Sequence, residues 1–150
     1  MRSGLLHAHS GLRYVALALL IAAIGAGFAA IMSKKAYTPG SRKLYSFAMV
    51  STHIQLLIGI VLYIMNSVPM ISAVGMGEVM KDEEKRFWVI EHPVMMLLSV
   101  ILITAGFSMG KRAKIDMAKH RITTVFYLLG LILIFFAIPW PFMSPARPWF

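Results

Sequence analysis

The sequence contains no cysteine. Disulfides, thiol catalysis, thiolate metal sites, cysteine-held iron–sulfur clusters and covalent haem attachment through Cys-x-x-Cys-His are therefore excluded. Acid is also scarce, with 6 Asp and Glu against 15 Lys and Arg. Charged residues of both signs reach only 14%, against about 25% in an ordinary soluble domain. No Ser–His–acid set falls at a common depth, which argues against a hydrolytic enzyme. No basic stretch is interleaved with aromatics, so the net charge of +9 does not point to nucleic acid.

What is abundant is apolar side chain, at 59% of 150 residues. A single domain of this length is mostly surface and cannot hide that much hydrocarbon from water. Its solvent must be largely lipid. Four uncharged runs follow: Tyr14–Met32, Leu44–Met65, Pro93–Gly110 (extended backwards by Phe87-Trp88-Val89-Ile90) and Ile122–Met143. A hydrocarbon core of about 30 Å needs about 20 helical residues, and helix is what satisfies the backbone there. The expectation is an all-α, integral membrane four-helix up-down bundle, residues 1–150 forming one transmembrane domain with helices near 7–33, 41–66, 84–111 and 117–139. Arg2 before a run ending in Gly27-Phe28-Ala29-Ala30 is also the pattern of a cleavable signal peptide. Here it reads as the first membrane helix.

Lys and Arg set the orientation. Lys34, Lys35, Arg42 and Lys43 stand between the first two runs without an acid. Lys111, Arg112, Lys114, Lys119 and Arg121 stand between the last two with only Asp116. Those loops read as cytoplasmic, which places both termini outside. Trp88, Trp140 and Trp149 then fall at the outer interface. Thr38-Pro39-Gly40 reads as a turn opening helix two, and Pro139 and Pro141 as the end of helix four. Asn66–Met80, carrying Pro69, Gly75 and Gly77, reads as an outer-surface loop with room for a short interfacial helix. Lys81–Arg86 reads as the start of helix three above the membrane. Ala22, Ala26 and Ala30, and Gly106 and Gly110, have the spacing of close helix contacts.

Ionisable side chains inside a bilayer are costly and mark function by default. The candidates are His9, Arg13, His53, Glu91, His92 and His120, with His7 further out among the headgroups. Counting from the cytoplasmic boundary at about 1.5 Å per residue puts Arg13 and Glu91 roughly 30 Å up and His53 roughly 15 Å up. His9 and His92 differ by roughly 7 Å. Helices one and three run in the same direction and would lie on a diagonal, so their histidines would face each other across the core. That is how two imidazoles clamp a haem iron. Arg13 shares a helix face with His9, where it can receive a haem propionate or pair with Glu91. His53 and His120 form the second same-direction pair; the cytoplasmic count separates them by roughly 16 Å and the outer count by only about five residues. The bland alternatives are a headgroup contact for His120, a helix–helix hydrogen bond for His53 and a packing network for His9 and His92. The twelve methionines are ordinary filler, with Met95-Met96 near His92 the one pair of interest for copper.

The stretches His9-Ser10-Gly11-Leu12-Arg13-Tyr14, His53-Ile54-Gln55-Leu56-Leu57-Ile58-Gly59, Glu91-His92-Pro93-Val94-Met95-Met96 and Ile138-Pro139-Trp140-Pro141 resemble a family of small four-span bacterial membrane proteins labelled cytochrome b or cytochrome b-like. The resemblance covers nearly the whole chain. It implies b-type haem, electron transfer and residence in the bacterial cytoplasmic (inner) membrane. The chain lacks the paired histidines along one helix that mark the best-known cytochromes b, which leaves the number of haems open.

These readings lead to a haem b-binding protein that is more an electron carrier than a catalyst with its own turnover. His9 and His92 would ligate one haem, with Arg13 as propionate partner. His53, alone or with His120, would hold a second haem or shape the first site. Electrons would pass to or from a quinol or a larger respiratory complex; the reading admits an oligomer and no nucleic acid. The alternative is a cofactor-free accessory or assembly subunit of a respiratory membrane complex. A transporter using His53 as a mid-membrane relay ranks last, because only Gln55 and hydroxyls accompany it.

Overall fold

A computed structural model of the chain describes residues 2–140. Among these residues there is helix and no strand. The helices are α1 (Arg2–Met32), α2 (Pro39–Val74), α3 (Met76–Lys81), α4 (Glu83–Arg86), α5 (His92–Arg112) and α6 (Asp116–Ala137), with a π turn over Phe87–Glu91 joining α4 to α5. Four helical stretches are long and apolar enough to cross a membrane: Ser3–Met32, Pro39–Val74, Glu83–Arg112 and Asp116–Ala137. The chain is by this measure a multi-pass membrane protein. Pro141, Met143 and Trp149 lie outside the described residues.

The side chains are sorted as lipid demands. Ile21, Phe47, Leu57, Ile64 and Phe136 face outward, while Thr52, Ser67, Ser99, His120, Thr123 and Thr124 are buried. In water this arrangement would be inverted. The apolar centre is built from Leu20, Ala23, Ile24, Tyr45, Ala48, Ile103, Tyr127, Ile134 and Ile138. The principal neighbours of α1 are α2 and α6, and those of α5 are α6 and α2.

Glycines let α5 and α6 approach most closely. A Cβ added to Gly106 would strike the Phe126 side chain, one at Gly110 would strike Thr123, and one at Gly130 would strike Ile103. Ser99 Oγ donates to the Gly130 carbonyl at 2.8 Å and Thr123 Oγ1 to that of Gly106 at 3.4 Å. Such interhelical bonds are worth about 0.6 kcal/mol each in lipid. On α1 the packed small residues are Ala23 and Gly27, whereas Ala22 and Ala26 are exposed. Of the set expected on helix one, Ala30 is buried, and Ala23 and Gly27 take the packed places expected of Ala22 and Ala26.

Helix ends follow local chemistry. Thr38 caps α2 in a capping box, with Ser41 N–H donating to Thr38 Oγ1 at 3.1 Å and Pro39 in the first turn. α1 closes in a Schellman motif, where Lys35 N–H reaches the Ala30 carbonyl and Lys34 N–H that of Ile31. The left-handed residue of that motif is Lys34, at φ 50, where glycine is the usual occupant. Gly75, at φ 80 and ψ 152, ends α2 and opens α3 in a conformation open to glycine and rarely to other residues.

Some helix limits differ from expectation, and α1 already begins at Arg2 and not near residue 7. α2 does not stop at Asn66 but continues to Val74 with Pro69 inside it, so its 36 residues span about 54 Å. Asn66 Nδ2 and Ser72 Oγ donate to the carbonyls of Leu62 and Val68, on either side of the proline. A short helix does follow, α3. Helix three is also not uniform. Pro93 cannot supply the N–H that Val89 would receive in an α ladder, and its ring crowds that carbonyl. The chain widens by one residue there, and His92 N–H bonds the Phe87 carbonyl.

Candidate functional site

The sequence candidates separate into three places. The first joins α1 and α5 at the end away from the basic loops. Gly27 packs on Thr124 of α6 and Gly110 packs on Thr123. His9 and His92 each stand 18 residues beyond those glycines, roughly 27 Å along their helices. Arg13 stands one helical turn from His9 on α1. This end therefore gathers two imidazoles and one guanidinium contributed by two helices that are not principal neighbours.

Each histidine is fixed by a different device. His92 Nδ1 lies 2.8 Å from the Ala137 carbonyl at the end of α6. A carbonyl only accepts, so Nδ1 carries the proton and Nε2 of the neutral ring keeps its lone pair. Phe87 and Trp88 flank the ring at 5.9 and 5.6 Å between centroids. The His9 ring lies against Gly59 of α2: a Cβ there would sit 3.3 Å from His9 Cε1. Gln55 Nε2 donates to the His9 carbonyl at 2.5 Å, anchoring that turn of α1 to α2. His9 Nδ1 and Gln55 Oε1 are buried and have no hydrogen-bond partner among the described residues. Arg13 Nη2 donates to the Tyr14 hydroxyl at 3.0 Å. Glu91 accepts from Arg86 Nε at 2.8 Å across the π turn, whose wider pitch brings residues five apart onto one face. His7 is exposed.

The second place is mid-helix on α2. His53 Nδ1 lies 2.8 Å from the Met49 carbonyl one turn back, and Nε2 lies 3.3 Å from Thr104 Oγ1 on α5. Thr52 is buried and bonds the same Met49 carbonyl. Thr104 is the second polar group at that depth which the sequence left unassigned.

The third place lies near the basic loops. His120 is 1% exposed, so it is a core residue and not a headgroup contact. Its Nδ1 is 2.9 Å from the Tyr45 hydroxyl. Tyr37 and Tyr45 enclose the ring at 5.2 and 6.0 Å. The Tyr127 hydroxyl donates to the Tyr45 carbonyl at 2.6 Å. Nothing in the sequence pattern marked these tyrosines: Tyr37 stands in the first basic loop, Tyr45 at the start of an apolar run and Tyr127 within one.

His53 and His120 are not brought together. His120 meets α2 at Tyr45, eight residues from His53, roughly 12 Å along the helix. Two ligands of one iron would have to share a level. Groups of three or more His, Asp or Glu able to hold a metal ion are absent among the described residues. No protein-family model, curated protein or solved structure matches the chain.

Proposed function

We propose that this chain is a haem b-binding electron-transfer protein of the bacterial cytoplasmic membrane, an up-down bundle with both termini on the outer side. The orientation rests on the basic residues around Lys34–Lys43 and Lys111–Arg121. The observation that carries the function is that His9 and His92 stand equally far along their helices from the glycines that pack α1 and α5 on α6, with Arg13 one turn from His9. The donor set suits a haem: two neutral imidazoles for the iron and a guanidinium for a propionate. The buried His9 Nδ1, without a partner among the described residues, is the orphaned atom such a group would explain.

The haem would supply one-electron chemistry. The chain's own contributions are positional. Ala137 holds the tautomer and plane of His92, in the way that a backbone carbonyl commonly orients a ligating imidazole. Gly59 leaves space for the His9 ring and Gln55 anchors its backbone. Phe87 and Trp88 wall His92 from water. Electrons would exchange with a membrane quinol or a respiratory complex.

The test is the oxidised and reduced absorption spectrum of detergent-purified protein. A Soret band is expected, lost in His9→Ala and His92→Ala and kept in His120→Ala. Colourless protein that gains no Soret band on titration with haemin overturns the reading. A cofactor-free accessory subunit is the second reading, favoured by the interhelical bonds of Gln55, His92 and Tyr45. On that reading the histidine variants lose stability alone.

A further inference from the structure

A groove of about 440 Å³ runs along the seam between α2 and α5. His53 and Leu56 form one wall; Leu97, Ile101, Thr104 and Ser108 form the other. From Leu97 to Ser108 it follows α5 for eleven residues, roughly 16 Å. That is half of a hydrocarbon core about 30 Å thick, the depth of one leaflet. The polar groups midway along it are already paired. His53 Nδ1 lies 2.8 Å from the Met49 carbonyl and His53 Nε2 3.3 Å from Thr104 Oγ1, while Thr104 Oγ1 donates to the Val100 carbonyl at 2.6 Å. Leu97 and Ile101 are exposed. The groove therefore calls for hydrocarbon, delivered from the bilayer.

One end of the seam is charged. Arg42 stands eleven residues before His53 on α2, within about 20° of the same helix face. Lys111 and Arg112 stand in the last turn of α5, seven and eight residues after Thr104. Measured from the contact of His53 with Thr104, Lys111 lies roughly 10 Å and Arg42 roughly 16 Å toward that end, a difference that one long side chain closes. All three cations are exposed, and the ion pairs among the described residues include none of them. Asp116, the acid of that end, is engaged by Lys119 Nζ at 2.9 Å and by the Tyr37 N–H at 3.0 Å. The remaining acids fall between Glu78 and Glu91, at the opposite end. Three cations thus close a groove of leaflet depth, with no acid of this chain left to neutralise them.

We infer that the α2–α5 seam binds an anionic phospholipid, one acyl chain in the groove and the phosphate among Arg42, Lys111 and Arg112. Basic pockets between membrane helices suit such head groups, and a guanidinium offers paired donors to phosphate oxygens. A zwitterionic lipid would bring its own ammonium against the three cations. A second copy of the chain in the same orientation would bring the same basic end and no free acid. The site rests on the groove and its charges and needs no haem, so its failure and that of the haem reading are separate results.

The experiment is native mass spectrometry of the full-length protein in detergent, titrated with dioleoylphosphatidylglycerol or dioleoylphosphatidylcholine. Phosphatidylglycerol is expected to bind about tenfold or more tightly than phosphatidylcholine. Arg42→Gln/Lys111→Gln/Arg112→Gln removes that preference. Lys34→Gln/Lys35→Gln, which lowers the charge of the same end beside α1, keeps it. If the triple variant fails to insert, Arg42→Gln and Lys111→Gln each reduce the preference alone. Ala105→Phe, filling the groove, weakens phosphatidylglycerol binding, and Leu56→Trp does so from the other wall if Ala105→Phe fails to fold. Equal affinity for the two lipids, an unchanged preference in the triple variant or an equal loss in the Lys34/Lys35 variant overturns the proposal. So does saturation by inorganic phosphate alone, or a dimer that takes up no lipid.

Discussion

Tyr45 and His120 are 75 residues apart in sequence, and Tyr45 Oη lies 2.9 Å from His120 Nδ1 in the interior. They join α2 to α6, two helices that are not principal neighbours. The bond, with that from Tyr127 to the Tyr45 carbonyl, ties the bundle across its middle near the basic loops. Tyr45→Phe leaves the buried His120 nitrogen without its hydroxyl partner. The expected loss is about 1–3 kcal/mol, read from unfolding in sodium dodecyl sulfate followed by circular dichroism. An unchanged midpoint would show that the pair contributes nothing net.

Gly110 and Thr123 offer a double-mutant cycle. A Cβ at Gly110 would overlap Thr123 Oγ1, with Thr123 Cβ at 3.4 Å and the Lys119 carbonyl at 3.1 Å. Gly110→Ala is expected to cost about 1–3 kcal/mol through overpacking. Thr123→Ala removes the colliding hydroxyl and should recover a large part of that loss. Additive effects in the same unfolding assay would mean that the helices separate freely at this point.

Gly59 addresses the site more than the fold. Gly59→Ala places a methyl 3.3 Å from His9 Cε1, and Gly59→Val crowds the ring further. Both should weaken haem retention and displace the Soret maximum, the valine more than the alanine, with little change in unfolding. Identical spectra across the three proteins would remove His9 from the ligand set.

Lys34 is a left-handed residue with a side chain, at φ 50. That conformation costs a non-glycine residue about 1 kcal/mol. Lys34→Gly should raise the unfolding free energy by up to that amount. Removing one positive charge from the basic loop should leave the topology intact, because Lys35, Arg42 and Lys43 remain. Cysteine-accessibility labelling from either side of the membrane checks that second point.

The long helices were readable because lipid imposes a single requirement, about 20 apolar residues with an internally bonded backbone. The continuation of α2 beyond Asn66 was not readable. Pro69 and Gly75 look alike as breakers in a string of letters, yet only Gly75 stops the helix. The packed stripe of helix one was read at Ala30 but not at Ala23 and Gly27, for a related reason: when almost every residue is apolar, lipid-facing and packed stripes carry the same composition, and Ala22 cannot be told from Ala23. Near the candidate haem site, residue type and depth suggested His9, His92 and Arg13 together. The roles of Gly59, Gln55 and Ala137 depend on contacts between helices and on a backbone carbonyl, which have no letter of their own. His120 was misjudged because depth near a boundary says nothing of whether tyrosines close over it.

The π turn at Phe87–Glu91 acts as a vernier. It inserts one residue between the charged head of the third spanning helix, Glu83–Arg86, and its apolar body from His92 onward. One residue is about 100° of rotation on an α-helix. The ion-pairing face and the histidine-bearing face are thus indexed independently, and deleting a single residue from the turn would swing one against the other by that angle. Aim at this end of the protein is therefore adjustable by insertion or deletion alone, without altering any side chain that packs the bundle below.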